Sequence, residues 1–282
     1  MPLNLIVTID PDSGFCFGVK KAVQKVEKAL SQVDQVYCLG HIVHNHMEVN
    51  RLEGMGMKTK NHDDLQDLHG KTILIRAHGE PPSTYDLIEK NNNILIEASC
   101  PVVLKLQDRI RQTHTDGDYI LIFGKKSHPE VKGLLGQIFE NVQAFENVQD
   151  LDFDKLPNRV VLYSQTTKDT EELYAKEDEL VKLGYEVVLK DTVCRQVSGR
   201  KKKLQEFAMQ SDVLIMVAGS ESSNGKVLHA QCKLVNHNSY KLNAVEEILP
   251  EWFTAGQSVG ISGATSTPQW LMEEVAEYIR AL

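Results

Sequence analysis

Short apolar runs separated by amphipathic stretches recur along the whole chain. Leu5–Ile9, Val36–Leu39, Ile73–Ile75, Ile94–Ile96, Tyr119–Phe123, Val160–Tyr163, Val187–Leu189, Val213–Val217 and Val259–Ile261 are continuous rather than alternating. Continuous short runs of this kind fit strands covered on both faces, as in parallel sheets. Between them, Val19, Val23, Val26 and Leu30 mark one helical stripe, Leu104, Ile110 and their neighbours a second, and Leu204, Phe207 and Ala208 part of a third. The pattern predicts an α/β protein with mainly parallel sheets and short, glycine-containing connections.

The pattern also repeats at a larger scale. FCFGVKKAV at Cys16, SCPVVLKLQ at Cys100 and VCRQVSGRKK at Cys194 each set a thiol between a loop and the start of a helix, 84 and 94 residues apart. In each module a strand then ends in a polar loop, YCLGHIVHN, LIFGKKSHPE or LIMVAGSESSN, so that His44, His128 and Ser222 each lie 28 residues beyond their cysteine. A further strand ends in ILIRAHG, LYSQTT or ISGATSTP, placing His78, Thr166 and Ser266 at offsets of 62, 66 and 72. Architecture recurs here without residue identity, as in a diverged internal repeat. The expected division is three small α/β modules, 1–98, 99–192 and 193–282, related by a pseudo-threefold axis. Ligands bind at the carboxyl ends of parallel strands. Three such edges facing one another would gather Cys16, Cys100 and Cys194 with His44, His78, His128, Glu130, Thr166, Thr167, Ser222, Ser223, Asn224 and Ser266.

Composition narrows the chemistry. The 282 residues carry 31 Lys and Arg against 39 Asp and Glu, a formal charge of -8, which argues against a dedicated nucleic-acid binder. No run approaches the roughly 18 apolar residues of a membrane helix, and MPLNLIVTIDPDSG lacks the basic flank and apolar core of a secretory signal. A cytoplasmic protein is expected. Five cysteines are too few for a disulfide framework, and the lack of a CxxC pair weighs against a zinc finger, a thioredoxin-like redox pair or a bacterial-ferredoxin run, so any shared ligand set must be assembled by the fold.

Three thiolates without a fourth protein ligand suit an iron-sulfur cluster with one open iron, or a three-iron cluster. A fourth ligand such as His128 would instead allow structural zinc. The surrounding imidazoles, hydroxyls and amide favour the cluster with an open iron, because a closed zinc shell has no use for them. They can also hold phosphate oxygens without an arginine fork. Glu130 would repel such a ligand unless it serves as a proton donor or relay.

GFCFGVKKAV, GHIVHN, AHG, EASCP, SHPEVKG, SQTT, the cysteine before a basic helix, GSESSN and ATSTPQW resemble, in order and over nearly the whole chain, the 4-hydroxy-3-methylbut-2-enyl diphosphate reductase family. The resemblance implies three pseudo-symmetric α/β domains around a [4Fe-4S] cluster held by Cys16, Cys100 and Cys194, with the fourth iron open. It implies that His44, His78, His128, Ser222, Asn224 and Ser266, with Ser223 alongside, bind the diphosphate. Glu130 would deliver protons, His128 and Thr166 would stand close to the chemistry, and Gln165 and Thr167 nearby. The implied reaction removes the C4 hydroxyl of the allylic diphosphate to give isopentenyl and dimethylallyl diphosphates. Reduced ferredoxin or flavodoxin would supply the electrons. Two local departures are CRQVSGRKK after the third cysteine and His41 in GHIVHN.

Cys38, inside a strand, and Cys232, in a helix, read as packing residues. His41, His46, His62, His69, His114, His229 and His237 read as surface or packing residues. The basic run Gly199–Lys203 reads as a hydrated first turn, with docking of an acidic electron carrier as its functional alternative.

Overall fold

The computed structural model describes residues 2–220 and 222–282, with the backbone alone at Ser223. In chain order the elements are β1 (Ile6–Ile9), α1 (Phe17–Leu30), β2 (Val36–Leu39), α2 (His46–Gly54), β3 (Met57–Lys60), β4 (Thr72–Ile75), α3 (Pro82–Lys90) and β5 (Ile94–Glu97). There follow α4 (Pro101–Thr115), β6 (Tyr119–Phe123), α5 (Pro129–Leu135), β7 (Val142–Phe145), β8 (Arg159–Ser164), α6 (Thr170–Lys182) and β9 (Glu186–Leu189). The remainder is α7 (Arg195–Ser198), α8 (Arg200–Met209), β10 (Val213–Val217), α9 (Ser223–Val235), β11 (Ser239–Leu242), β12 (Ser258–Gly263) and α10 (Gln269–Ala281).

Among the described residues, twelve strands form three four-stranded sheets, ordered β3-β2-β4-β5, β7-β6-β8-β9 and β1-β12-β10-β11, and the described registers are parallel. Read from β11, the third sheet has the order of the other two, with β1 in the place of β5 and β9. The N-terminal strand therefore hydrogen-bonds outside the 1–98 segment: Val7 and Ile9 pair with Val259 and Ile261.

Every strand read from apolar runs is present. The three that the pattern did not show, β3 (MKTK), β7 (VQAF) and β11 (SYKL), hold the same edge of their respective sheets. Their sequences are interrupted by Lys58, Thr59 and Lys60, by Gln143, and by Ser239 and Lys241, so they leave no continuous apolar run. The central strands do leave one, because both faces are covered. In β10, Val213, Ile215 and Val217 pack with Leu271, Val275 and Ile279, while Leu214 and Met216 pack with Leu204, Leu228 and Cys232. In the second sheet, Ile120, Ile122 and Val161 face Leu106, Ile110 and Leu134, and Leu121, Phe123 and Leu162 face Leu173 and Leu180.

The chain divides into two compact units, Met1–Glu27 with His41–Met57 and Gly199–Leu282, and Lys28–Gly40 with Lys58–Ser198. They are called unit 1 and unit 2 below.

Candidate active site

In unit 2, local sequence fixes each polar group at a strand exit. Cys100 is the N-cap of α4, with Pro101 at the first helical position, where its missing N–H costs nothing. The Cys100 amide donates to the Ala77 carbonyl (3.0 Å) just beyond β4, and the Cys194 amide donates to the Thr166 carbonyl (2.8 Å) just beyond β8. Two thiols are thus tied to equivalent strand ends, each leading into a helix. Burial pushes the Cys100 thiol above its ordinary range. The amides of Val102 and Val103, donating to its sulfur, work against that, and the neighbouring Cys194 and Glu130 charges add to it.

His128 caps α5, its Nδ1 accepting the Glu130 amide at 3.2 Å. That bond assigns the proton of the neutral ring to Nε2, which becomes a donor. Its ring meets His78 edge to face, with centroids 5.3 Å apart. Glu130 is 2% exposed. Thr166 donates to it twice, from its amide to Oε1 (2.6 Å) and from its hydroxyl to Oε2 (2.8 Å). Burial raises the Glu130 carboxyl above the usual carboxylate range, and the two Thr166 bonds oppose the shift. Gln165 accepts from the Lys125 amide (3.3 Å) and donates to Thr167 Oγ1 (2.8 Å), so the SQTT segment is internally braced. The arrangement places a buried, raised carboxyl against a hydroxyl, a pair between which a proton can pass.

In unit 1, Cys16 immediately precedes α1, and its amide donates to the Thr265 carbonyl (3.1 Å) just beyond β12. This is the same attachment that Cys100 and Cys194 make, and it gives the sequence repeat its physical content. Cys16 and the other two are half-buried and none is in a disulfide, whereas Cys38 and Cys232 are buried, as read. Burial pushes the Cys232 thiol up to about 12, so it stays protonated packing. Ser222 caps α9, accepting the Gly225 amide at 3.0 Å, and its hydroxyl stands 3.5 Å from that of Ser266. Asn224 Oδ1 accepts from both the amide (3.3 Å) and the hydroxyl (3.2 Å) of Thr265, which directs its NH2 group elsewhere. His44 stands one residue before Asn45, the N-cap of α2. The Ser223 side chain lies outside the described residues.

Sequence reasoning missed three groups. Arg200, read as part of a hydrated basic turn, is 6% exposed. Its guanidinium donates to the carbonyls of Gly14 (3.4 Å) and Gly263, which draw it inward, while Lys202 and Lys203 stay exposed. Burial lowers Arg200 from its ordinary range, opposed by Asp10, Asp12 and Cys16. The others, Glu48 and Trp270, are bonded to each other. Glu48 stands beside Val49 and one turn before Leu52 on the buried stripe of α2, a position where a charged residue signals a partner.

The donor set can be weighed against a metal cluster on these grounds. Three half-buried thiols at helix starts, one receiving two backbone amides at sulfur and repelled by its neighbour's charge, form sites where a cation would relieve the strain of ionisation. Taken singly, each of the three thiols has the exposure and helix-start setting of a metal-binding cysteine.

Fold and side chains together define a class, an α/β protein of three like sheets in which a thiol precedes α1, α4 and α7 and polar side chains follow the two inner strands of each sheet. More narrowly, the chain belongs to the LytB protein family, whose model matches residues 7–280. It is 45% identical over 287 residues to 4-hydroxy-3-methylbut-2-enyl diphosphate reductase of Bacteroides fragilis, covering 98% of this chain and 97% of that protein. It is 44% identical over 283 residues to the protein of the same name of Parabacteroides distasonis, covering 98% of each. Among solved structures, (E)-4-hydroxy-3-methyl-but-2-enyl diphosphate reductase, the terminal enzyme of the non-mevalonate pathway, is similar at a TM-score of 0.78 and 34% identity, over 99% of this chain and all of the other. The E-1-hydroxy-2-methyl-but-2-enyl-4-diphosphate reductase of Plasmodium falciparum is similar at a TM-score of 0.84 and 26% identity, over 97% and 87%.

Proposed function

We propose that this chain reductively removes the C4 hydroxyl of 4-hydroxy-3-methylbut-2-enyl diphosphate, yielding isopentenyl and dimethylallyl diphosphates. The carbon–oxygen bond breaks, two electrons and two protons enter from outside, and the oxygen leaves as water. The observation that carries the chemistry is the buried Glu130 carboxyl bonded through both oxygens to Thr166.

The cofactor in this reading is a [4Fe-4S] cluster held by Cys16, Cys100 and Cys194. When bound, it supplies an open iron for the substrate oxygen and a route for the two electrons. The chain's own groups do the rest. Burial raises the Glu130 carboxyl and so favours its taking up a proton; once protonated it would give that proton to Thr166 Oγ1 as the hydroxyl reverses its bond and delivers its own proton to the departing hydroxyl. His128 donates from Nε2 to the diphosphate, joined by His44, His78, Ser222, Ser223, Asn224 and Ser266. The Ser222 hydroxyl accepts from the Gly225 amide and so has its proton to give, and Asn224 gives its NH2 while Thr265 occupies its oxygen. Gln165 and Thr167 brace the loop that carries Thr166.

The modules 1–98, 99–192 and 193–282 each supply one cysteine in this reading. Reduced ferredoxin or flavodoxin would serve as donor, in the cytoplasm. Among the described residues no helix is long and apolar enough to cross a membrane.

The test is anaerobic reconstitution with iron and sulfide, followed by turnover of the hydroxylated allylic diphosphate with a chemical or protein reductant. Both isomeric products are expected. An intact four-iron cluster and a working donor without turnover would sink the assignment.

A further inference from the structure

Glu48 lies 1% exposed in α2 and takes three directed bonds of ordinary length. Arg51 donates to it bidentately, from Nε to Oε2 (2.8 Å) and from Nη2 to Oε1 (2.7 Å), and the Trp270 indole N–H donates to Oε2 at 2.7 Å. Arg51 is itself shared with Glu27 at 2.6 Å on the solvent side, and the Glu48 bonds hold its guanidinium well above its ordinary range against the cost of burial. A buried carboxylate is tolerated only when its oxygens are paired, so these bonds fix where the two elements sit.

The two elements are those that carry candidate diphosphate ligands in unit 1. Glu48 is four residues after His44 and donates its own amide to the N-cap oxygen of Asn45 (3.2 Å). Trp270 is four residues after Ser266, in the first turn of α10. A second contact holds the same segment from another side. A Cβ at Gly219 would collide with the His44 carbonyl oxygen and lie 3.3 Å from Asn45 Cα, so the loop leading to Ser222 rests on the backbone of His44. Residues 41–57 belong to the same compact unit as 199–282 and not to that of the flanking 28–40 and 58–198.

We propose that Glu48, clamped between Trp270 and Arg51, is a positioning residue that sets the spacing of His44 and Ser266 for the diphosphate. The inference rests on the reading of those two residues as diphosphate ligands. Neither Glu48 nor Trp270 takes part in the proton relay, so their loss weakens binding of substrate and transition state alike. That is a change in KM with kcat held.

Trp270→Phe removes the indole donor and keeps most of the ring. It is expected to raise KM about tenfold, and the inhibition constant of inorganic pyrophosphate by a similar factor, with kcat within about twofold of wild type. Residues acting through one group are non-additive. The double variant Trp270→Phe/His44→Ala should therefore raise KM by less than the product of the two single effects, whereas a general loss of folding would multiply them. Glu48→Gln, which keeps an acceptor for the indole, should fall between wild type and Trp270→Phe. Should Trp270→Phe melt too low to assay, Glu48→Gln in the same double cycle decides the matter. Unchanged KM and pyrophosphate inhibition in both single variants, or full additivity with His44→Ala, would overturn the clamp. Wild-type protein that neither turns over nor is inhibited by pyrophosphate fails the functional reading itself, and the clamp with it.

Discussion

At the scale of single residues, burial and one neighbour, Thr166, set the state of the proposed acid, Glu130. Because the Glu130 carboxyl is raised in the folded chain, the fold keeps a proton that the unfolded chain releases. The stability this residue contributes is full below the unfolded carboxylate range and falls as pH rises through the raised folded value. Glu130→Gln should therefore melt no lower than wild type at pH 5 and increasingly above it toward pH 8, as calorimetry across that range would show. The same change leaves an amide able to accept from the Thr166 amide but with no transferable proton. Turnover should fall on the order of 10²- to 10⁴-fold while iron content stays at the wild-type level. Wild-type turnover would remove Glu130 from the proton path. SHPEVKG shows in sequence that an acid stands at a helix start, but not that it is buried against SQTT, since that contact joins positions 36 residues apart. Glu48 and Trp270, 222 residues apart, were hidden for the same reason.

At the scale of elements, the central strands were legible because apolar residues on both faces give unbroken runs, and β3, β7 and β11 were not because polar residues interrupt their four positions. The helix starts were legible through their caps and prolines: Pro101 and Pro129 begin α4 and α5 directly after Cys100 and His128. The loop between β10 and α9 carries a constraint that only the fold reveals. At Gly219 any side chain would press on backbone at His44, which has no flexible end to move aside. Gly219→Ala should cost roughly 1–3 kcal/mol in urea unfolding, as overpacking does, and should raise KM as the His44 segment shifts. An unchanged midpoint and KM would mean that the loop yields without strain. Alanine at Gly117, an exposed turn glycine whose Cβ meets nothing but whose φ is +87°, tests backbone strain alone. It should lower stability by about 1 kcal/mol without touching KM.

At the scale of the whole molecule, the chain closes on itself. The Leu3 amide donates to the Leu282 carbonyl (3.1 Å), Gly256 donates to Leu3 (2.8 Å), and β1 completes the sheet built by the last third of the sequence. The period in the sequence shows three modules but not this exchange, because IVTI would suit the edge of either the first or the third sheet and nothing local distinguishes them. The exchange has a direct consequence for stability. Without residues 2–9, β12 keeps β10 but loses its other neighbour, and Val259 and Ile261 lose the partners that β1 provides. Such a truncation should be largely insoluble or molten, with no near-ultraviolet signature of packed Trp252 and Trp270. Joining the termini through a short glycine-serine linker and opening the chain in the exposed turn at Asp116–Gly117 cuts no sheet and preserves the β1–β12 pairing. That permutant should fold, melt within a few degrees of wild type and take up iron to the same level. A truncated chain that folds and loads iron normally would show that β1 is dispensable to the third sheet. A permutant that fails where the truncation succeeds would mean that continuity at residue 116, rather than the pairing of the two ends, holds the molecule together.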